Sequence, residues 1–224
     1  MIPLNAKKYK ILLITDSLGF PRTSPEIVFY EDTYVSMLKN EFSSYDFIHQ
    51  GKGGATIVEL YTLSACFHNT ITPDIVFIQS GIVDCAYRTL TKTEDLIIQK
   101  IPILNVFLDR LLKKYSKLLL KIRKIRATDI QTYEKYVEFF EKIYSNVYWI
   151  GIVPGLQGYE EYLPNIGESI NKYNSIISKP NRNYISIIDF EMSDIMSDFH
   201  HINNNGHKKM FNKLKQIIQS ELIN

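Results

Sequence analysis

The stretch Lys10-Ile11-Leu12-Leu13-Ile14-Thr15-Asp16-Ser17-Leu18-Gly19 is an apolar run that stops abruptly at a small polar cluster. A run with no polar alternation predicts a strand buried on both faces, as in a parallel sheet. Ser17 then falls just past the C-terminal end of that strand, where open α/β sheets place their chemistry. An Asp-Ser-Leu triplet alone is weak evidence, because serines after strands commonly cap the next helix.

Four more β-branched and apolar runs follow, Tyr45 to Gln50, Asp74 to Gln79, Asn146 to Ile152 and Tyr184 to Asp189, with helical segments between them. Strands alternating with helices predict the α/β class, with a parallel sheet covered on both faces. No Gly/Ser/Pro-rich linker divides the 224 residues, so one domain over 1–224 is expected, with a helical insertion at about 96–145. The 45% hydrophobic and 22% charged content is that of an ordinary soluble globular protein. Lys+Arg 26 against Asp+Glu 24 gives a net charge of +2, which disfavours a nucleic-acid partner. The first residues lack an apolar signal core and no window is apolar enough to span a bilayer, so a cytoplasmic location is the default. Cys66 and Cys85 are expected as free thiols, and neither has zinc-site spacing, so no metal is assigned.

The connections carry the polar chemistry. Phe20 to Glu26, with Pro21, Arg22 and Pro25, reads as a loop able to wall a pocket, and a helix is predicted from near Tyr30. Gly51-Lys52-Gly53-Gly54-Ala55-Thr56 permits positive φ and close backbone approach to a ligand, or is simply a tight turn. It lacks both the Lys-[Ser/Thr] ending of a P-loop and a full dinucleotide fingerprint. The third run ends in Ser80-Gly81-Ile82-Val83-Asp84. Parallel strands all end on one side, so these three clusters converge on one sheet edge.

Within the insertion, Lys113, Lys114, Lys117, Lys121, Arg123, Lys124 and Arg126 interleave with Leu111, Tyr115, Leu118, Leu119, Ile122 and Ile125. That spacing makes an apolar and a basic helix face over 111–126. The favoured reading is a solvated surface helix packed on the sheet, with peripheral contact to an anionic membrane, or an acidic partner, as the alternative. Asp129 is a candidate N-cap, and Tyr133, Tyr136, Val137, Phe140 and Ile143 fall at core spacing. Tyr159, Glu160 and Tyr162 sit in a loop that could form a sugar-binding wall, and a last helix is predicted over Lys208 to Leu222.

A serine nucleophile needs a histidine to take its proton, and the histidine needs a carboxylate to fix its tautomer. Asp198 and His201, three residues apart, supply that pair for Ser17, and the Ser17 and Gly54 N–H groups suit a developing oxyanion. On these residues the chain resembles the SGNH hydrolase (GDSL esterase/acyltransferase) superfamily. The nucleophile block is Thr15-Asp16-Ser17-Leu18, the glycine block Gly51 to Thr56, the third block Gly81-Ile82-Val83-Asp84, and the last Asp198-Phe199-His200-His201, followed by Gly206-His207.

The resemblance implies a three-layer α/β/α fold with a five-stranded, flavodoxin-like parallel sheet. It also implies a Ser17-His201-Asp198 triad, Gly54 in the oxyanion hole and a loop-holding Asp84, with no cofactor. Thr15 stands where the family has glycine, a position that mainly needs a small residue. Val83 stands where an asparagine amide would donate to the oxyanion, and Arg22 and Arg88 are the nearest substitutes or anion binders. The stretches Asp16 to Arg22 and Gly81 to Arg88 are also similar to SGNH-like proteins of bacterial surface-polysaccharide biosynthesis. The implied activity is acyl ester hydrolysis or O-acyl transfer on an acylated carbohydrate, the alternative a catalytically weak or inactive carbohydrate-binding scaffold.

Overall fold

The computed structural model describes residues 8–100 and 102–222, so the reading of the first residues lies outside the described part. Five strands, β1 (Lys10–Thr15), β2 (Asp46–Gly51), β3 (Ile75–Gln79), β4 (Val147–Ile150) and β5 (Asn183–Ile185), form one parallel sheet in the order β2-β1-β3-β4-β5. This is the flavodoxin-like order, with β1 inside the sheet and its C-terminal end at the point where the order reverses. Ile11 to Ile14 are wholly buried, as their unbroken apolar character requires.

The helices are α1 (Tyr34–Glu41), α2 (Ile57–Leu63), α3 (Ile82–Cys85), α4 (Lys92–Gln99), α5 (Pro102–Arg123), α6 (Ile130–Ile143), α7 (Gln157–Tyr162), α8 (Ile166–Ile177) and α9 (Asn204–Leu222). α1 and α9 pack on each other, α6 packs between α2 and α8, and the two groups cover the two sides of the sheet. Among the described residues no helix is long and apolar enough to cross a membrane.

Several boundaries differ from expectation for local reasons. The first helix begins at Tyr34 rather than near Tyr30, because the Thr33 hydroxyl accepts the Ser36 N–H while Tyr30–Asp32 forms a separate 3-10 turn. α9 begins at Asn204, a turn before Lys208, since Asn203 Oδ1 accepts the N–H groups of Asn205 and Gly206 and satisfies donors the helix leaves free. β5 ends at Ile185, not Asp189: it is an edge strand paired only with β4, and Ile188 beyond it is exposed.

The insertion is not helical throughout. It breaks after Arg123, where Lys124 takes a φ of 46° and Ile125 bridges to Arg88. Asp129 then caps α6 by accepting the Thr132 N–H at 2.8 Å. The amphipathic reading of 111–126 holds for periodicity but not for packing. Tyr115, Leu118 and Ile122, assigned to the inward face, are 45%, 55% and 70% exposed, whereas Leu120 is buried. The Lys113 side chain lies outside the described residues.

Candidate active site

β1 sets the position of Ser17. Asp16 N–H prolongs the strand pairing by donating to Gln79 O at 3.1 Å, and Ser17–Gly19 then turns away as a single 3-10 turn. The Asp16 carboxylate caps that turn by accepting the Leu18 N–H at 3.0 Å, leaving Ser17 half-buried at the sheet edge.

The loop between β5 and α9 brings the partners. Ser17 Oγ lies 2.9 Å from His201 Nε2, and His201 Nδ1 lies 2.7 Å from Asp198 Oδ2. Asp198 Oδ1 also accepts the His200 and His201 backbone N–H groups, at 3.2 and 3.1 Å, which fixes the carboxylate. Phe199 between them has a φ of 66°, in the left-handed region, and this kink lets Asp198 and His201 face each other. Its ring packs within 2.3 Å of where a Cβ on Gly158 would stand, so a larger residue there would push the Phe199 ring aside. Further ties are Met196 N–H to His201 O at 2.7 Å and Ser197 N–H to Glu26 Oε1 at 3.0 Å.

The electrostatics suit a neutral base beside an ionised carboxylate. Burial lowers the His201 pKa below the usual imidazole value, only partly offset by its hydrogen bond to Asp198. Burial alone would raise Asp198, but the His201 hydrogen bond and the adjacent imidazoles hold it well below the carboxylate range. With His201 neutral, Nδ1–H donates to Asp198 and Nε2 is free to accept the Ser17 hydroxyl proton. His200 turns away from Ser17, its Nδ1 2.8 Å from Asp198 O. Asp198, His200 and His201 place ligand-type atoms within 4.8 Å of one another, yet both Nδ1 atoms face Asp198 oxygens within the loop.

The side of the site that carries Gly54 and Gly81 is built by α2 and α3. Gly54 has a φ of +67° and Gly81 one of +126°. At Gly81 the positive φ strains any other residue, and a Cβ would also meet Ile152 Cδ1 at 2.5 Å. Both Asp84 oxygens accept the Ile57 N–H at 3.1 Å and the Ser80 hydroxyl donates to Oδ2 at 3.2 Å, so Asp84 ties the turn after Gly54 to α3. Val83, in α3, is partly buried against the core and presents no donor.

The two arginines separate. Arg22 pairs its backbone with Val28, and its half-buried guanidinium, whose pKa burial lowers, feels the charges of Asp198 and Asp16. Arg88 is exposed and, with Gly54, lines a cavity of about 750 Å³ running along Thr56, Glu59, Thr91 and Thr128.

Some site features escaped the sequence reading. Thr15 is more than a small residue in glycine's place: its Oγ1 bonds His49 Nε2 at 2.8 Å and fills the space where Cβ atoms on Gly19 and Gly51 would stand, 2.4 and 2.8 Å away. Burial pushes His49 down to about 4, which keeps it neutral. His207 is structural, its Nδ1 accepting the Tyr34 N–H at 3.2 Å, and burial lowers it to about 3. Of the suggested sugar wall, Tyr159 is instead buried and stacked on Phe199 and His200, Glu160 accepts the Asn165 and Gly167 N–H groups, and Tyr162 remains exposed.

No protein-family model and no curated protein matches the chain. Solved structures do. A lipase/acylhydrolase from Enterococcus faecalis superposes with a TM-score of 0.62 at 16% identity, over 95% of this chain and 96% of that one. The chain has the GDSL/SGNH hydrolase fold. An acetyl xylan esterase shares that fold at a TM-score of 0.58 and 16% identity, over 93% and 99% of the two chains. A member of the lipolytic G-D-S-L family from Veillonella parvula does so at 0.57 and 13%, over 94% and 98%. The likeness to the GDSL/SGNH structures is one of fold.

The buried Asp16 leads to a stability prediction. It is wholly buried, its Oδ2 has no hydrogen-bond partner among the described residues, and burial, with Asp84 nearby, raises its pKa to about 7. A folded-state value above the unfolded one means that stability is fullest below pH 4 and is lost as the pH rises towards 7. Asp16→Asn is therefore expected to raise the Tm at pH 8 and to leave it unchanged near pH 4. Each kcal/mol recovered corresponds to roughly 2–4 °C. Thermal unfolding at the two pH values checks this, and an equal shift at both would refute the linkage.

Proposed function

We propose that the chain is a serine-dependent acyl ester hydrolase or O-acyltransferase acting on an acylated carbohydrate. The observation that carries this reading is the continuous pair of contacts Ser17 Oγ–His201 Nε2 and His201 Nδ1–Asp198 Oδ2, at 2.9 and 2.7 Å. His201 takes the Ser17 proton as Oγ attacks the ester carbonyl, and Asp198 stabilises the resulting imidazolium. The oxyanion forms beside the Ser17 and Gly54 N–H groups. The imidazolium returns its proton to the departing alkoxide, leaving an acyl group on Ser17. Water delivered through His201 completes hydrolysis, whereas a sugar hydroxyl in its place completes transfer.

A carbohydrate substrate is supported by the hydroxyl, carboxylate and guanidinium side chains of the cavity that Gly54 shares with Arg88, which suit polyhydroxylated ligands. The fold shared with an acetyl xylan esterase agrees with it. A place in surface-polysaccharide biosynthesis is the corresponding cellular reading. Val83 favours a second reading, a carbohydrate-binding scaffold that keeps the fold with little catalysis.

The test is p-nitrophenyl acetate turnover together with fluorophosphonate labelling of the wild type, with the labelled peptide mapped by mass spectrometry. Turnover and label on Ser17 are expected. Xylo-oligosaccharide binding with neither signal would establish the scaffold instead.

A further inference from the structure

We propose that α5 seats the protein on an anionic membrane surface. On a helix of 100° per residue, Tyr115, Leu118 and Ile122 fall within roughly 60° of one another. Arg110, Lys114, Lys117 and Lys121 form a second stripe of roughly the same width, about 100° round the helix from the first. Both stripes are exposed. None of the four cations forms an ion pair with a described residue. α4, packed against α5, adds exposed Leu96 and Ile97. Leu120 packs into the core, and at the end of the helix Arg123 donates to Thr89 O and Glu94 at 2.7 Å each.

Charge and shape together select the occupant. A row of exposed cations without ion pairs among the described residues calls for an anionic surface, and lysine stems can lie along apolar neighbours while their heads reach phosphates. The apolar side chains project outward from a helix, with Ile122 70% exposed, so they suit a deformable apolar medium that admits them individually. An acidic protein would meet the charges but would need its own pocket for each projecting side chain. A bilayer with anionic headgroups answers both stripes. Because Thr91 and Asp95 of the α4 segment and Ile125 after α5 line the cavity that contains Gly54, seating α5 also holds that cavity near the lipid surface.

The test is sedimentation with vesicles of phosphatidylglycerol and phosphatidylcholine against vesicles of phosphatidylcholine alone. Binding to the anionic vesicles only, weakened by salt, is expected. Lys114→Gln/Lys117→Gln/Lys121→Gln should lower the partition coefficient on the order of 100-fold, at the usual weight of a basic residue near an anionic surface. Leu118→Ser/Ile122→Ser should lower it as well, while both variants keep the wild-type thermal transition and p-nitrophenyl acetate rate. Equal recovery with neutral vesicles, no recovery with either, or undiminished binding of the lysine variant would overturn the proposal. The readout does not use catalysis, so its failure and a failure of the ester-hydrolase reading are separate results.

Discussion

Ser17→Ala is expected to lower kcat/KM for p-nitrophenyl acetate by at least on the order of 10⁴-fold and to abolish fluorophosphonate labelling. A serine hydroxyl is a poor nucleophile unless its proton has an acceptor within reach, and the 2.9 Å contact to His201 Nε2 supplies one. His201→Ala should cost about as much. The double variant should cost little more, because the two act as a unit rather than as additive contributions. Asp198→Asn should fall in the same range, since an amide can hold the wrong tautomer and cannot balance the imidazolium. The pH profile gives the sign independently. Only neutral His201 accepts the proton, so kcat/KM should fall as the pH drops through the His201 pKa, which burial places below the ordinary imidazole value. Near-wild-type turnover by Ser17→Ala would remove Ser17 from the reaction, and an acid limb above pH 7 would remove His201 as its base.

The parts of this site that were legible in the sequence are those set by short-range order. Strand ends follow from where apolar runs stop, and the convergence of Ser17, Gly54 and Gly81 follows from parallel pairing alone. Asp198 and His201 were legible because they are three residues apart on one loop, where the Phe199 kink brings them face to face. Contacts between distant residues of compatible size carried no such signal. Thr15 and His49 belong to adjacent strands, and nothing in either segment marks that the Thr15 hydroxyl fills the space left by Gly19 and Gly51 and bonds the imidazole. Tyr159 read as part of a loop wall open to a ligand, whereas stacking on Phe199 and His200 buries it beneath the loop between β5 and α9. The insertion shows the opposite limit. Periodicity placed Tyr115, Leu118 and Ile122 on one face correctly, but a period says only that residues share a face, not that the protein covers it.

Val83→Asn is expected to raise kcat on the order of 100-fold with little change in KM. Removing a single oxyanion donor typically costs 10²–10³-fold, and a donor restored in the right place should recover much of that. The placement is favourable. Val83 stands in α3, immediately before Asp84, whose two oxygens hold the Ile57 N–H at 3.1 Å and so fix α3 beside the turn that carries Gly54. An amide there would be held by a frame already rigid, and its hydrogen bond would strengthen as charge develops on the carbonyl oxygen, which is why the gain belongs in kcat. Exchanging a partly buried apolar side chain for an amide should cost about 1–2 kcal/mol of stability, read as a lower Tm. Val83→Ala serves as the control: it removes bulk without adding a donor and should leave kcat within a few-fold of wild type. The same measurement tests Arg22, whose half-buried guanidinium feels the charges of Asp16 and Asp198. If that guanidinium already serves the oxyanion, Val83→Asn gains nothing and Arg22→Met loses on the order of 100-fold in kcat. If the hole lacks its third donor, the asparagine gains activity and the arginine substitution acts mainly on KM for anionic esters.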